Sequence, residues 1–349
     1  METGSLEQTV DAHGRDIFSF EFSYDSNLLA LGSDDGTIKT WSIKTRSLQR
    51  TFKCHVIRRF RSIAFSHDSK LLAGTSWKIV KIWNMETGKL QKSFEIDYEW
   101  PTSFAFSYDL KLLAVGLFNG TIRILDTAAT FPFHQTLKNE DHKSFIQLVK
   151  LSHDSTLLAS GSVDTIKVWD TATGSLRKTL ECVYEYASDD LAWIIFSRDS
   201  NSLASMTGKM IMVWDVATES KKQTLRMDHK IYSASFDDTG LYLDTDIGRV
   251  ELSSGTIDST IIQASPPTPK PNRHGYDLSN DRSWITWNER KILWLPFEYR
   301  APKFSRFAKY VISSLASPST GSTNVIVGIG CKSNMVMVLG LTSSGPFGV

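Results

Sequence analysis

Short stretches of alternating hydrophobic and polar residues recur along the chain. Examples rich in β-branched and aromatic residues lie at 37–41, 80–84 and 166–170. Alternation with a period of two over four to six residues predicts strands with one buried face. Gly, Asn and Asp lie between successive stretches, as at 32–36 and 118–120, where tight turns need them. The pattern predicts an all-β protein made of short strands.

A five-residue motif gives the sequence its period. It reads Phe or Leu, then Ser, a variable residue, Asp and usually Ser. Its copies start at Phe22, Phe65, Phe106, Leu151 and Phe196, so successive copies are 41–45 residues apart. Leu-Leu-Ala follows four of them, Ser-Leu-Ala follows the fifth, and a weaker sixth copy starts at residue 236. Self-similarity at such a period indicates a repeat architecture.

Each repeat contains four strand-like stretches. The first runs up to the motif, the second covers Leu-Leu-Ala, and the third ends at a Trp in most repeats, with Leu125 in its place in the third repeat. The fourth, outer stretches are alike at 4–10, 88–94 and 174–180. A four-stranded sheet repeated around an axis is a β-propeller blade.

This signature resembles that of the WD40 family, which places a Gly-His pair before the first strand and Trp-Asp at the end of the third. Here the His is present in several repeats, without the Gly, and the match covers residues 1–255. The resemblance implies a WD40-type propeller with a buried hydrogen-bonded set of His, Ser or Thr, Asp and Trp in a repeat. The second repeat lacks the Asp and the third lacks the Trp. Two repeats carry all four residues at matching positions: His13, Ser33, Asp35 and Trp41, and His142, Ser162, Asp164 and Trp169.

The last hundred residues repeat less clearly. Residues 264–273 contain four prolines and predict a loop, because proline cannot donate to a sheet ladder. Residues 274–341 predict eroded blades, and their pattern resembles the closing repeats of fungal WD40 proteins, including the repeat regions of STAND-type vegetative incompatibility proteins. Two pairs of strands are predicted there, at 283–287 with 291–295 and at 324–329 with 335–339.

The N-terminal residues bear on the number of blades. Residues 1–6 match residues 85–90, where an outer strand begins. An N-terminal strand would then complete the last blade and close the ring, which removes exposed sheet edges. We expect a single propeller over residues 1–349 with eight blades. Seven blades follow if residues 256–300 pack as an irregular insertion, and a fragment of a longer repeat array is a third alternative.

Composition changes this picture little. The 349 residues carry 39 Lys and Arg against 38 Asp and Glu, and a net charge of +1 gives no general attraction to nucleic acid or an anionic membrane. Cys54, Cys182 and Cys331 share no metal-ligand spacing and suit a reducing compartment. The chain begins with no signal-peptide pattern, and no run approaches the roughly 18 apolar residues that cross a bilayer. We expect a cytoplasmic protein, with the nucleus as the alternative, and neither a cofactor nor a bound metal.

Ser66, His67 and Asp68 are the residue types of a hydrolytic triad, and the same three letters return at 152–154. A triad needs the imidazole between the hydroxyl and the carboxylate, whereas neighbours on an extended strand point to opposite faces. Tyr or Arg also replaces the His in other copies. Ser and Asp instead suit a turn, through hydrogen bonds to the nearby backbone. With no P-loop and no zinc-protease motif either, we expect no enzymatic activity.

Recognition at a surface is the function that remains. In a propeller, the loops that lead into the first strands converge on one face around the channel. Here they carry Arg, Lys, Tyr and Trp, and Tyr, Trp and Arg are the types that dominate the energetics of interfaces. The candidate partner-binding residues are Arg15, Arg58, Arg59, Tyr98, Trp100, Tyr184, Tyr186, Lys230 and Tyr232.

We therefore expect a non-enzymatic scaffold or adaptor for protein–protein interaction. The fungal resemblance implies a ligand-sensing repeat module of a STAND-type signalling system. Two alternatives stay open: a propeller hydrolase with raised-pKa acids at the channel mouth, and a nucleic-acid adaptor that uses Lys53, Arg58, Arg59 and Arg61. The sequence predicts neither the identity of the partner nor the oligomeric state.

Overall fold

The computed structural model describes most of the first 252 residues and six strands beyond them. The described residues are 6–252, 276–278, 284–287, 290–294, 310–316, 323–330 and 335–342, without 12, 14, 16, 26, 44, 46, 55–59, 77, 97–99, 129–132, 138–144, 163–164, 183–190, 219, 228–230, 232–233 and 246–247. Across this part of the chain, every regular element is a β-strand.

The first strand, β1 (Leu6–Asp11), precedes five consecutive four-stranded sheets. In each of the five, the strands are antiparallel and lie side by side in chain order. The sheets are β2 (Ile17–Phe22), β3 (Leu28–Ser33), β4 (Thr37–Ser42) and β5 (Ser47–Lys53); β6 (Phe60–Phe65), β7 (Leu71–Ser76), β8 (Ile79–Asn84) and β9 (Leu90–Glu95); β10 (Pro101–Phe106), β11 (Leu112–Leu117), β12 (Ile122–Asp126) and β13 (Phe133–Leu137); β14 (Leu148–Leu151), β15 (Leu157–Gly161), β16 (Thr165–Asp170) and β17 (Leu176–Glu181); and β18 (Leu191–Phe196), β19 (Ser202–Thr207), β20 (Met210–Asp215) and β21 (Lys221–Arg226).

Three further sheets follow these five. Two have three described strands each, and the last is a three-stranded sheet that β1 completes as its fourth strand. Leu6 lies opposite Leu339 and Asp11 opposite Met335, which is the N-terminal closure that the sequence predicts. The strands are β22 (Ala234–Phe236), β23 (Tyr242–Thr245) and β24 (Gly248–Glu251); β25 (Tyr276–Leu278), β26 (Trp284–Trp287) and β27 (Arg290–Trp294); and β28 (Tyr310–Ala316), β29 (Thr323–Gly330) and β30 (Met335–Thr342).

The C-terminal strand pairs also match the prediction, since β26 pairs with β27 and β29 pairs with β30. Eight sheets are present among the described residues. The number of blades nevertheless stays a prediction, because long segments between the last sheets lie outside the described residues. The proline-rich loop at 264–273 is one of these segments.

The hydrophobic core lies between neighbouring sheets. Val80 and Ile82 of β8 pack in one cluster with Phe104 and Phe106 of β10, and with Leu113 of β11. Similar clusters join the third sheet to the fourth, the fourth to the fifth and the fifth to the sixth. Burying a side chain of this size stabilises the fold by about 1.5–3 kcal/mol. The second, third, fourth and fifth sheets are therefore each stabilised by the sheets on either side of them.

The recurring motif is a hydrogen-bonded turn after the first strand of each of the first five sheets. Oγ of Ser66 donates to Oδ1 of Asp68 at 2.6 Å and accepts the backbone N–H of Leu71 at 2.8 Å, and Asp68 accepts the N–H of Lys70 at 3.0 Å. The hydroxyl thus bonds directly to the carboxylate, with no imidazole between them, which confirms the predicted turn. The same bond, at 2.5–2.6 Å, joins Ser23 to Asp25, Ser107 to Asp109, Ser152 to Asp154 and Ser197 to Asp199.

The last residue of the motif links one sheet to the next. Ser69, Ser155 and Ser200 have φ near +60°, a left-handed conformation that is costly for any residue with a side chain. Their hydroxyls accept backbone N–H groups from the preceding turn, as when Asp154 donates to Ser200 at 3.2 Å. Leu110 occupies the same conformation in the third sheet but has no hydroxyl. The motif is therefore both a turn and a contact between sheets.

Candidate functional site

We call the side with the loops that lead into the first strands the upper face, and the side with the Ser-x-Asp turns the lower face. The turns between second and third strands lie on the upper face too, because successive strands are antiparallel. Of the nine predicted partner-binding residues, Arg15 and Trp100 are described, and both are exposed. The other seven lie outside the described residues: Arg58, Arg59, Tyr98, Tyr184, Tyr186, Lys230 and Tyr232.

Trp100 belongs to an exposed aromatic cluster on the upper face. Its ring centroid lies 5.8 Å from that of Phe118, and the Phe118 ring stacks on Phe145 at 5.3 Å with an interplanar angle of 8°. Trp100 is 40% exposed and Phe118 is 44% exposed. We call Trp100, Phe118 and Phe145 the upper aromatic cluster. It spans the third and fourth sheets, and its apolar area faces solvent.

Backbone contacts hold the upper aromatic cluster in place. The N–H of Phe118 donates to the carbonyl of Trp100 at 2.9 Å, and the N–H of Ile146 donates to the carbonyl of Leu117 at 3.2 Å. Ile146 is fully buried and lies against Gly116, where a Cβ would come within 2.6 Å of its side chain. The close approach therefore requires glycine at 116. The sequence singled out Trp100 alone, and an aromatic residue beside Asn-Gly in the turn was the signal for Phe118.

The predicted hydrogen-bonded set of the first sheet forms only in part. Nδ1 of buried His13 lies 2.9 Å from Oδ2 of Asp35, and its Nε2 lies 3.1 Å from the carbonyl of Leu31. Ser33 donates to the carbonyl of Arg15 at 3.1 Å and accepts the N–H of Asp35 at 3.2 Å. Burial lowers the pKa of His13, outweighing the opposing effect of the Asp35 carboxylate. This network fixes the loop that carries Arg15.

The tryptophans depart from the predicted set. Nε1 of Trp169 donates to Ser160 at 2.9 Å, and not to Ser162. Ser160 lies diagonally across the strand pair on the same face, within reach of the indole. Leu31 holds the equivalent position in the first sheet, and the buried Nε1 of Trp41 has no hydrogen-bond partner among the described residues. Trp41 is thus not a member of the His13 network, while His142 and Asp164 lie outside the described residues.

The described residues contain no group of three His, Cys, Asp or Glu side chains placed to hold a metal ion. Burial raises the pKa of the Cys54 thiol to about 12, so the thiolate is suppressed. In the same part of the chain, no helix is long and apolar enough to cross a bilayer.

Comparisons with known proteins define the class of this fold. The family model described as "WD domain, G-beta repeat" matches residues 4–42, 46–84 and 133–170. A chain of the solved structure "Crystal Structure of Mitotic Checkpoint Complex" aligns with a TM-score of 0.64 and 16% identity, over 98% of this chain and 94% of that chain. The architecture is an all-β propeller built from WD40 repeats. The chain contains WD40 repeats at these three ranges, as its signature predicts.

Curated relatives are similar over part of their length. Identity is 36% over 78 residues to vegetative incompatibility protein HET-E-1 of Podospora anserina, covering 22% of this chain and 5% of the relative. It is 28% over 183 residues to angio-associated migratory cell protein of Homo sapiens, covering 50% and 40%. The chain therefore spans less than half the length of these relatives. The first similarity agrees with the fungal resemblance noted in the sequence.

Proposed function

We propose that this chain is a protein-recognition module whose upper aromatic cluster contacts the partner. WD40 repeat proteins generally act as scaffolds for protein interaction. The observation that carries the proposal is the aromatic group formed by exposed Trp100 and Phe118 with half-buried Phe145, in which Phe118 stacks on Phe145. Large aromatic side chains at a fixed position provide contact area at a low cost in conformational entropy. The similarity to HET-E-1 supports a role as the sensing repeat module of a fungal signalling system.

The charges of the described residues favour recognition over hydrolysis. A hydrolase at the channel mouth would need a carboxylic acid with a raised pKa. Burial would raise the pKa values of Asp25, Asp109 and Asp154, but hydrogen bonds within the turns outweigh burial and lower all three. Carboxylates held in this way are poor proton donors near neutral pH.

A double variant tests the proposal. Trp100→Ala with Phe118→Ala should remove most specific partners recovered by affinity purification and quantitative mass spectrometry. The matched control is Leu90→Ala with Leu176→Ala, because both leucines are exposed on outer strands away from the upper face. Equal recovery of the same partners by the aromatic variant and the unmodified chain would overturn the proposal, provided that both elute as folded protein.

A further inference from the structure

The variable residue of the lower-face motif forms a ring of side chains around the channel. Tyr24 and His67 have ring centroids 4.1 Å apart, His67 stacks on Tyr108 at 3.4 Å, and Tyr108 stacks on His153 at 4.0 Å. In the next two sheets, Arg198 pairs with Asp238 at 2.5 Å. We call these six residues the lower ring: Tyr24, His67, Tyr108, His153, Arg198 and Asp238. Consecutive sheets thus contribute one side chain each to a continuous arc.

The lower ring lines the mouth of a cavity of about 810 Å³. Behind it, the walls include Phe65, Phe106 and Phe196, each from the end of a first strand. Small-molecule sites typically have volumes of about 300–1,000 Å³, with largely apolar walls and a few convergent polar groups. The volume of this cavity falls within that range, and its lining combines aromatic rings with charged and hydrogen-bonding side chains.

Lys150 supplies a cation to the cavity without a carboxylate partner. It projects from β14 and lines the cavity, and no carboxylate lies within 4 Å of its Nζ among the described residues. By contrast, Lys70 and Lys111 pair with Asp68 and Asp109, at 4.0 and 3.6 Å. The other cation of the cavity, Arg198, is already bound to Asp238. An unpaired ammonium beside neutral rings is a favourable position for an anion.

Burial lowers the pKa of both imidazoles of the lower ring. Burial, then the charge of Lys150 and then His153, lower the pKa of His67 to about 4. Burial also lowers the pKa of His153, and Arg198 adds to that effect, against a backbone hydrogen bond to Ser197. The positive charge of Lys150 therefore acts on His67 across the ring. Glu21 and Asp154 also line the cavity, but the turn hydrogen bonds of Ser152 and Thr156 already engage the carboxylate of Asp154.

We propose that the lower cavity binds a small organic anion, with its carboxylate or phosphate group on Lys150 and its apolar part against Phe65 and Phe106. The phenol of Tyr108 and the neighbouring imidazoles supply hydrogen-bond donors and acceptors to the same group. The site is separate from the upper aromatic cluster, so either proposal stands or fails without the other. In a recognition module, such a site would let a small molecule contact side chains from several sheets at once.

Titration calorimetry on the full chain tests the proposal, with phenyl phosphate and benzoate as probes and benzyl alcohol as the neutral analogue. Both anions should bind and the alcohol should not. Lys150→Gln should weaken phenyl phosphate binding about tenfold, the scale of one charge-assisted hydrogen bond. Lys111→Gln is the matched control, since Lys111 is 76% exposed and pairs with Asp109. It should bind phenyl phosphate as the unmodified chain does.

Tyr108→Phe provides a second variant, because it keeps the stacked ring and removes only the hydroxyl. It should weaken phenyl phosphate binding by a smaller factor than Lys150→Gln does. The proposal is overturned if neither anion binds, or if Lys150→Gln and the unmodified chain bind phenyl phosphate equally. Binding of a hexaglutamate peptide without binding of phenyl phosphate would also overturn it, since the occupant would then be an acidic polypeptide.

Discussion

The upper and lower faces of this propeller are built from the same strands in different ways. On the lower face, five turns repeat the same serine-to-aspartate hydrogen bond and differ in one inward-facing residue. On the upper face, the aromatic cluster depends on contacts that occur once, such as Ile146 against Gly116. On the lower face, the turns share one backbone structure and differ in a single side chain. On the upper face, the surface is formed by loops that differ from one another.

This difference shows that a variable position inside a repeated structural motif can face a cavity and set its chemistry. The third residue of the motif varies among Tyr, His and Arg. This variation argues against a catalytic triad, because a triad needs His at that position in every copy. The structure shows that the same variable position faces the channel in six sheets. The repeated residues are structural, and the residue that varies between them lines the cavity of the lower face.

The largest expected effect concerns the lower turns. Ser66→Ala should lower the free energy of unfolding by about 2 kcal/mol, because it leaves the N–H of Leu71 without its acceptor at a fully buried position. Thr121→Ala removes a hydroxyl of comparable size from an exposed upper-face turn and should cost about 0.5 kcal/mol or less. Urea denaturation of both variants measures the difference. Equal losses of unfolding free energy in the two variants would contradict the view that the lower-face turns contribute more to stability than the upper-face turns.

A smaller effect is expected where one lower turn contacts the next. Ser200→Ala should cost about 1 kcal/mol, because the N–H of Asp154 loses its acceptor while the left-handed backbone strain is unchanged. Ser175→Ala, in an exposed outer turn, serves as the control and should change stability by less than about 0.5 kcal/mol. A thermal unfolding series would measure both. No loss for Ser200→Ala would mean that the sheets do not depend on this contact.

The lower ring should also make stability depend on pH. Burial lowers the pKa of His67 to about 4 in the folded chain, so between pH 6.5 and pH 4 the unfolded chain binds more protons. Stability should therefore fall as the pH falls through this window. Lys150, His153 and Asp68 are the charged or titratable groups that act on His67. His67→Phe keeps a ring between Tyr24 and Tyr108, and should make the decline shallower.

Urea midpoints measured from pH 7 to pH 4 test this expectation, and an unchanged slope in His67→Phe would contradict it. His67→Gln distinguishes loss of the proton site from the added apolar ring, since it should flatten the decline to a similar degree. The size of the effect is about 0.5–1 kcal/mol at pH 5, once solvent screening at the cavity mouth is allowed for.

The smallest effect is expected from the upper aromatic cluster. Trp100→Ala should change the free energy of unfolding by no more than about 0.5 kcal/mol, because the side chain is substantially exposed. The same variant should still reduce partner recovery, which separates recognition from folding. A loss of several kcal/mol in chemical denaturation would show instead that Trp100 is part of the packed structure.

Much of the fold could be predicted because the relevant interactions are local. Ser66 and Asp68 lie two residues apart, so their turn is visible in the sequence. The stacking of His67 on Tyr108 joins residues from neighbouring sheets, and nothing in a single repeat indicates it. The indole bond of Trp169 to Ser160 likewise depends on which strand neighbour lies diagonally across the pair. Contacts between repeats and the geometry of side chains therefore needed the structure.

The Ser-x-Asp turn also has a consequence for how such a protein evolves. A duplicated repeat inherits a turn whose backbone hydrogen bonds are already complete, together with one position that those bonds do not constrain. The present chain holds Tyr, His, Tyr, His, Arg and Asp there, on six successive copies. New channel chemistry can therefore arise by single substitutions at a fixed register, without insertions and without selecting a new fold.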